Sequence, residues 1–148
     1  MRTRNEPGNE ENTKRILAHP NCVIASDGSA HEMHGPLAKG NPHPRNYGTF
    51  PRAISYYVHK HKIVSLTEMI KKMTSKPAEI AGFKNRGKIA EDYFADLVIF
   101  LPSIHDRATF EKPKQYCQGI YHLFTNGQPV IFDGKRKNNL PGTILKSG

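Results

Sequence analysis

One apolar run, Cys22-Val23-Ile24-Ala25, passes through Ser26 into Asp27-Gly28, and the next run of that kind is Leu97-Val98-Ile99-Phe100. A short continuous apolar stretch bounded by turn residues suits a strand covered on both faces. A carboxylate at the carboxyl end of such a strand is where α/β barrels keep their chemistry. Yet a (β/α)8 barrel takes about 200 residues or more, and this chain has 148. One strand and its helices cannot close a barrel. The lone βα unit is therefore the feature that most limits what this chain can fold into.

Around that unit the local signals are clear. The first dozen residues are polar and are expected to be disordered. Glu11 to Ala18 can form a short helix that Pro20 stops. Ser29 to Tyr47 is rich in Gly, Pro and His and lacks periodicity, and a loop this long in a compact domain is often functional. Thr49 is expected to cap a helix from about Phe50 to Lys60, with Pro51 tolerated in its first turn. Ser65-Leu66-Thr67-Glu68 is a capping box, and Leu66, Met69, Ile70 and Met73 behind it share one apolar helical face. Pro77 begins a further turn and Gly82 stops it. After Gly82 the composition shifts. Leu97-Val98-Ile99-Phe100 reads as a buried strand. Tyr121 to Thr125, Asn126-Gly127 and Gln128 to Phe132 read as a hairpin with a type I′ turn, and Asp133-Gly134 marks the next turn.

Composition excludes several classes. Hydrophobic residues make up 36% of the chain, mean hydropathy is −0.63, and no stretch approaches the roughly 18 apolar residues of a membrane span. The basic N-terminus lacks an apolar core of a secretory signal, which assigns the chain to the cytoplasm by default. Cys22 and Cys117 are too few for a disulfide framework. The net charge of +9 raises nucleic-acid binding. The basic residues are scattered, however, with only Lys135-Arg136-Lys137 in a run, so a solvated basic surface is the better reading.

On residues alone, Asp27 before Gly28 is either a turn cap or a catalytic carboxylate, and Arg45 is an ordinary loop arginine. His31 and His34 have the spacing of a helical metal pair but sit in a Gly/Pro loop without a third ligand. His59-Lys60-His61 falls at a helix end and reads as a solvated terminus.

Several motifs occur together in a fixed order. They are His19-Pro20, Ser26-Asp27-Gly28, His43-Pro44-Arg45, Tyr47-Gly48-Thr49-Phe50-Pro51-Arg52 and Lys72-Met73-Thr74-Ser75. Downstream follow Arg86-Gly87-Lys88-Ile89, Ala95-Asp96-Leu97-Val98-Ile99-Phe100, Ala108-Thr109-Phe110 and Asn126-Gly127. In this order they resemble the C-terminal region of D-aminoacylases (N-acyl-D-amino-acid deacylases), within the metal-dependent amidohydrolase superfamily.

The resemblance implies an α/β plus β fold: the last β/α unit of an amidohydrolase TIM barrel, left incomplete, followed by C-terminal strands of a small β-sandwich. It divides the chain into a disordered tail (1–13), a terminal barrel segment (14–82) and a sandwich segment (83–148). It implies that Asp27 moves a proton between the attacking water and the leaving amine. Arg45 would bind the substrate's α-carboxylate, and His43 belongs to the same substrate loop. Zinc serves the complete family enzyme, but its H-x-H pair and later histidines precede this segment, so no metal is expected on this chain alone. Glu91-Asp92-Tyr93-Phe94 and Leu101 depart from the family pattern, which has a glycine-rich approach and an aspartate there.

Three functions follow as expectations. The chain is the C-terminal part of an N-acyl-D-amino-acid deacylase, inactive alone; or a subunit of a split amidohydrolase whose partner chain supplies the metal; or a non-catalytic basic binding module. In the first two the substrate is an N-acyl-D-amino acid, and neither membrane nor nucleic acid is a partner. With its strand lacking both neighbours and its sandwich edges open, the isolated chain is expected to be marginally stable and prone to oligomerise.

Overall fold

A computed structural model describes residues 7–146. Helix α1, Pro7–Ala18, starts four residues before the expected Glu11. Residues 7–13, expected in a disordered tail, are thus helical, and Met1 to Glu6 lie outside the described residues. The turn after α1 is closed by the Cys22 N–H on the His19 carbonyl at 3.1 Å.

The stretch Cys22 to Ala25 is not a strand. Among the described residues no strand lies beside it, and without a ladder partner an extended chain is not a sheet. Cys22, Val23 and Ile24 are half-buried and Ala25 is exposed. Ile24 is held from one side, its N–H donating to the Lys72 carbonyl at 3.0 Å. The long loop that follows contains one 3₁₀ turn, Pro36–Ala38. It is anchored by the Tyr47 hydroxyl on the Glu32 carbonyl at 3.4 Å and by the Lys114 ammonium on the Ala38 carbonyl.

The next helix begins earlier than expected. α2 spans Arg45–Arg52, so Thr49 lies inside it rather than at its cap, donating its hydroxyl to the Arg45 carbonyl at 2.9 Å. Pro51 then sits near the end of α2, where it has no N–H for the Tyr47 carbonyl and crowds it. Directly beyond, the backbone is wound as a π-helix, Ala53–Lys60.

Helix α3, Leu66–Met73, is capped as expected by Ser65, whose side chain accepts from the Glu68 N–H at 3.1 Å. The Glu68 carboxylate turns away to Lys76 at 2.5 Å. The apolar face is rotated from the predicted one. Met69 is fully buried, Leu66 is exposed, and the fully buried neighbour of Met69 is Lys72. Helix α4, Ser75–Ile80, ends in a Schellman motif: the Phe83 N–H reaches the Ala78 carbonyl at 2.9 Å and the Gly82 N–H reaches Glu79 at 3.1 Å. The core gathers where these helices meet, with Ala53, Val58 and Met69 backed by Ile24, Tyr57, Val64 and Met73.

The remainder is a four-stranded antiparallel meander in the order β1-β2-β3-β4: Leu97–His105, Gln118–Thr125, Gln128–Phe132 and Lys135–Arg136. Asn126 and Gly127 both have positive φ (50° and 76°), as a type I′ hairpin requires. β1 was expected to be buried, but it is an edge strand whose Val98, Ile99 and Leu101 are exposed. Its pairing is lost between Phe100 and His105, around Pro102, which has no N–H for a ladder. Pairing resumes where Gly119 (φ 98°) lies against Ile104, and a Cβ there would come within 2.6 Å of the Ile104 Cα.

Cys22 and Cys117 are free thiols. Among the described residues, no helix is long and apolar enough to cross a membrane.

Candidate active site

Three sequence-predicted residues, Asp27, His43 and Arg45, come together at the start of α2. Asp27 sits at φ 49°, a left-handed conformation that Asp tolerates better than most residues. The turn around it is held locally and from a distance. The Gly28 N–H reaches the Ser26 hydroxyl at 3.2 Å, and the Ser29 N–H reaches Oδ1 of Asn46 at 2.6 Å. Arg45 then grips Asp27 twice: Nε donates to the Asp27 backbone carbonyl at 3.0 Å, and Nη2 stands 2.9 Å from Oδ2. The Asp27 side chain is 87% exposed and that of Arg45 44%. A surface ion pair of this kind contributes little to stability, so the pair's importance is geometric.

His43 shapes the helix start. Its Nδ1 accepts the Arg45 N–H at 3.1 Å, which places the proton of the neutral ring on Nε2. Its carbonyl accepts from the backbone N–H and the side-chain amide of Asn46, at 3.0 and 2.8 Å. Its ring packs edge-on to Phe110 with centroids 5.0 Å apart. Burial, and then the Arg45 guanidinium, push the His43 imidazole below its ordinary value, so it is neutral at pH 7. In this structure His43 acts on Arg45 through its backbone.

Arg45 also borders an open cleft of about 700 Å³, shared with His43, Thr49, Arg52, Tyr57 and Phe110. Asp27 is not among its lining residues. Within the cleft, burial and the nearby Glu10 raise the Tyr57 hydroxyl above its usual range. Sequence reasoning singled out neither this cleft nor Asn46. A short amide side chain in a helix's first turn, one residue after Arg45, was the signal for the latter.

Among the described residues no group of three or more His, Cys, Asp or Glu could hold a metal ion. His59 is exposed, and His61 lies against the Tyr56 ring with centroids 4.4 Å apart. Asp27 offers one carboxylate, already paired with Arg45. The residues present do not fit a zinc site.

The sequence profile described as the amidohydrolase family matches residues 9–131. The chain belongs to the amidohydrolase family. It is 34% identical over 138 residues to an N-acyl-D-glutamate deacylase of Alcaligenes xylosoxydans xylosoxydans, covering 93% of this chain and 27% of that protein. Among solved structures it superposes on a D-aminoacylase variant in complex with copper chloride, at a TM-score of 0.82 and 34% identity. That match covers 93% of this chain and 28% of the other. It likewise superposes on an N-acyl-D-glutamate deacylase from Bordetella bronchiseptica, at a TM-score of 0.73 and 36% identity. That structure holds zinc and a phosphonate inhibitor mimicking the tetrahedral intermediate, and the match covers 82% of this chain and 24% of that one. The chain thus spans about a quarter of the length of these amidohydrolases, and it matches their C-terminal part.

Proposed function

We propose that this chain is the C-terminal part of an N-acyl-D-amino-acid deacylase, an enzyme that hydrolyses the amide to a carboxylate and a free D-amino acid. The observation that carries this reading is the Asp27–Arg45 pair, 18 residues apart in sequence and in direct contact. Amide hydrolysis needs a group that takes a proton from the attacking water and returns it to the leaving nitrogen. Asp27, exposed on its turn, is that group. Arg45 binds the substrate's α-carboxylate. Nε and Nη2 face Asp27, which leaves Nη1 to meet the substrate and holds the two carboxylates on one guanidinium. His43 supports Arg45 from behind.

In this reading residues 14–82 are the closing segment of a TIM barrel and 83–148 belong to a β-sandwich. Zinc is held by the part of the relatives' length that this chain does not span. The chain is inactive alone and resides in the cytoplasm.

The test is to fuse the chain behind the N-terminal three quarters of a D-aminoacylase, load zinc, and assay N-acetyl-D-amino acids. The fusion should turn over, whereas the 148-residue chain should not. Asp27→Asn keeps the left-handed turn and should lower kcat by about 10²–10⁴-fold. Arg45→Met should mainly raise KM. A fusion that keeps its rate with asparagine at position 27 sinks the assignment.

A further inference from the structure

The segment leading to Asp27 is tied down by a charge that the proposed chemistry does not use. Lys72, on α3, is fully buried. Its Nζ donates to the His19 carbonyl at 2.5 Å and to the Cys22 carbonyl at 3.0 Å, with Glu68 Oε1 4.0 Å away. Its own backbone carbonyl accepts the Ile24 N–H. One residue therefore holds both the turn before the extended run and the run itself.

A buried ammonium is costly unless it is hydrogen-bonded and paired. A methionine of similar length would fill the space without that cost. What methionine could not do is draw two carbonyls of one turn onto a single point. Lys76, four residues on and already in α4, reaches among the described residues the Pro20 carbonyl at 3.0 Å and Glu68, and its side chain is partly exposed. The need for such a tie follows from the fold. Among the described residues no strand lies beside residues 22–25, so the usual means of fixing a chain here is missing. From Ile24 to Asp27 is three residues, roughly 10 Å of extended chain.

We propose that Lys72 is the positioning residue for Asp27. Its ammonium fixes the His19–Cys22 turn, its carbonyl fixes Ile24, and together they set where Asp27 meets Arg45. The assignment rests on reading Asp27 as the proton-carrying carboxylate.

Nuclear magnetic resonance of the full 148-residue chain tests it without any assay of turnover, so its failure would leave the proposed chemistry to its own experiment. In the unsubstituted chain the Lys72 ammonium should exchange slowly and give contacts to His19 and Cys22. Lys72→Met should move the Asp27 carboxylate and Arg45 Nε resonances, and should speed Ile24 amide exchange by about tenfold. Lys76→Met should leave the Asp27 and Arg45 resonances in place. A folded Lys72→Met chain with unmoved Asp27 and Arg45 resonances overturns the proposal. So does a rapidly exchanging Lys72 ammonium in the unsubstituted chain, which decides the matter even where the variant does not fold.

Discussion

In the sheet, β2, β3 and β4 follow one another through two-residue turns, and each pairs with its predecessor. The helical portion is closed differently, by contacts such as that of Lys72 with His19 and Cys22, 53 and 50 positions away. From β2 to β4 the sheet therefore depends on turn chemistry decided within a few residues, which must accept left-handed backbone at Asn126-Gly127 and Asp133-Gly134. The helices depend on side chains that meet only after the chain has folded back. The sheet meets α2 and the π-helix through β1, and a separate knot fastens its entry. Arg86 joins Asp96 and Asn126 and stacks 3.9 Å over the Phe94 ring, tying the entry of β1 to the β2–β3 turn.

Substitutions can break this contrast in order of size. Met69→Ala empties the centre of the helical core and should cost about 2–5 kcal/mol, read as a lowered denaturation midpoint with early loss of helical signal. Arg86→Ala removes charged hydrogen bonds from a largely covered site and should cost about 1.5–3 kcal/mol. Its first effect should be faster amide exchange at Asn126, whose N–H is held by Asp96 at 2.8 Å. Gly127→Ala adds a Cβ that meets no atom within 4 Å, so its cost of roughly 1–2 kcal/mol is backbone strain alone. It should loosen β2 and β3 while α3 exchange is unchanged. Ser65→Ala removes one helix cap, for about 1 kcal/mol, in a urea titration.

The smallest effect is one of pH. His43 is held below its ordinary value, so the unfolded chain binds that proton first as pH falls below about 6.5. Stability should accordingly decline on acidification through that window. His43→Asn, which can still accept the Arg45 N–H, should flatten the decline in melts run across pH. An unchanged slope would show that burial of His43 is not felt.

How much could be read in advance follows the same division. The turn at Asn126-Gly127 and the cap at Ser65 were legible because both are decided within four residues. Asp27, His43 and Arg45 could be named from ordered motifs, though not their contacts, since nothing local tells Arg45 to grip the Asp27 carbonyl. Thr49 misled because a good capping residue also fits inside a helix by bonding back to Arg45. The Cys22–Ala25 run misled because apolar character specifies burial, whereas a strand also needs a neighbour. Lys72 stands in one of the ordered motifs, but its burial did not show, because a lysine beside Lys71 reads as solvent-facing although it lies three residues after Met69 on the same side.

The left-handed backbone at Asp27 has a consequence for descent. Asparagine and glycine fit such a position as readily as aspartate, and β-branched residues do not. If selection guards only the turn, sister sequences will drift among those three residues. If it guards the proton carrier, they will hold aspartate against two substitutions the backbone would accept without complaint, and a tally at this single position separates a relic from a working part.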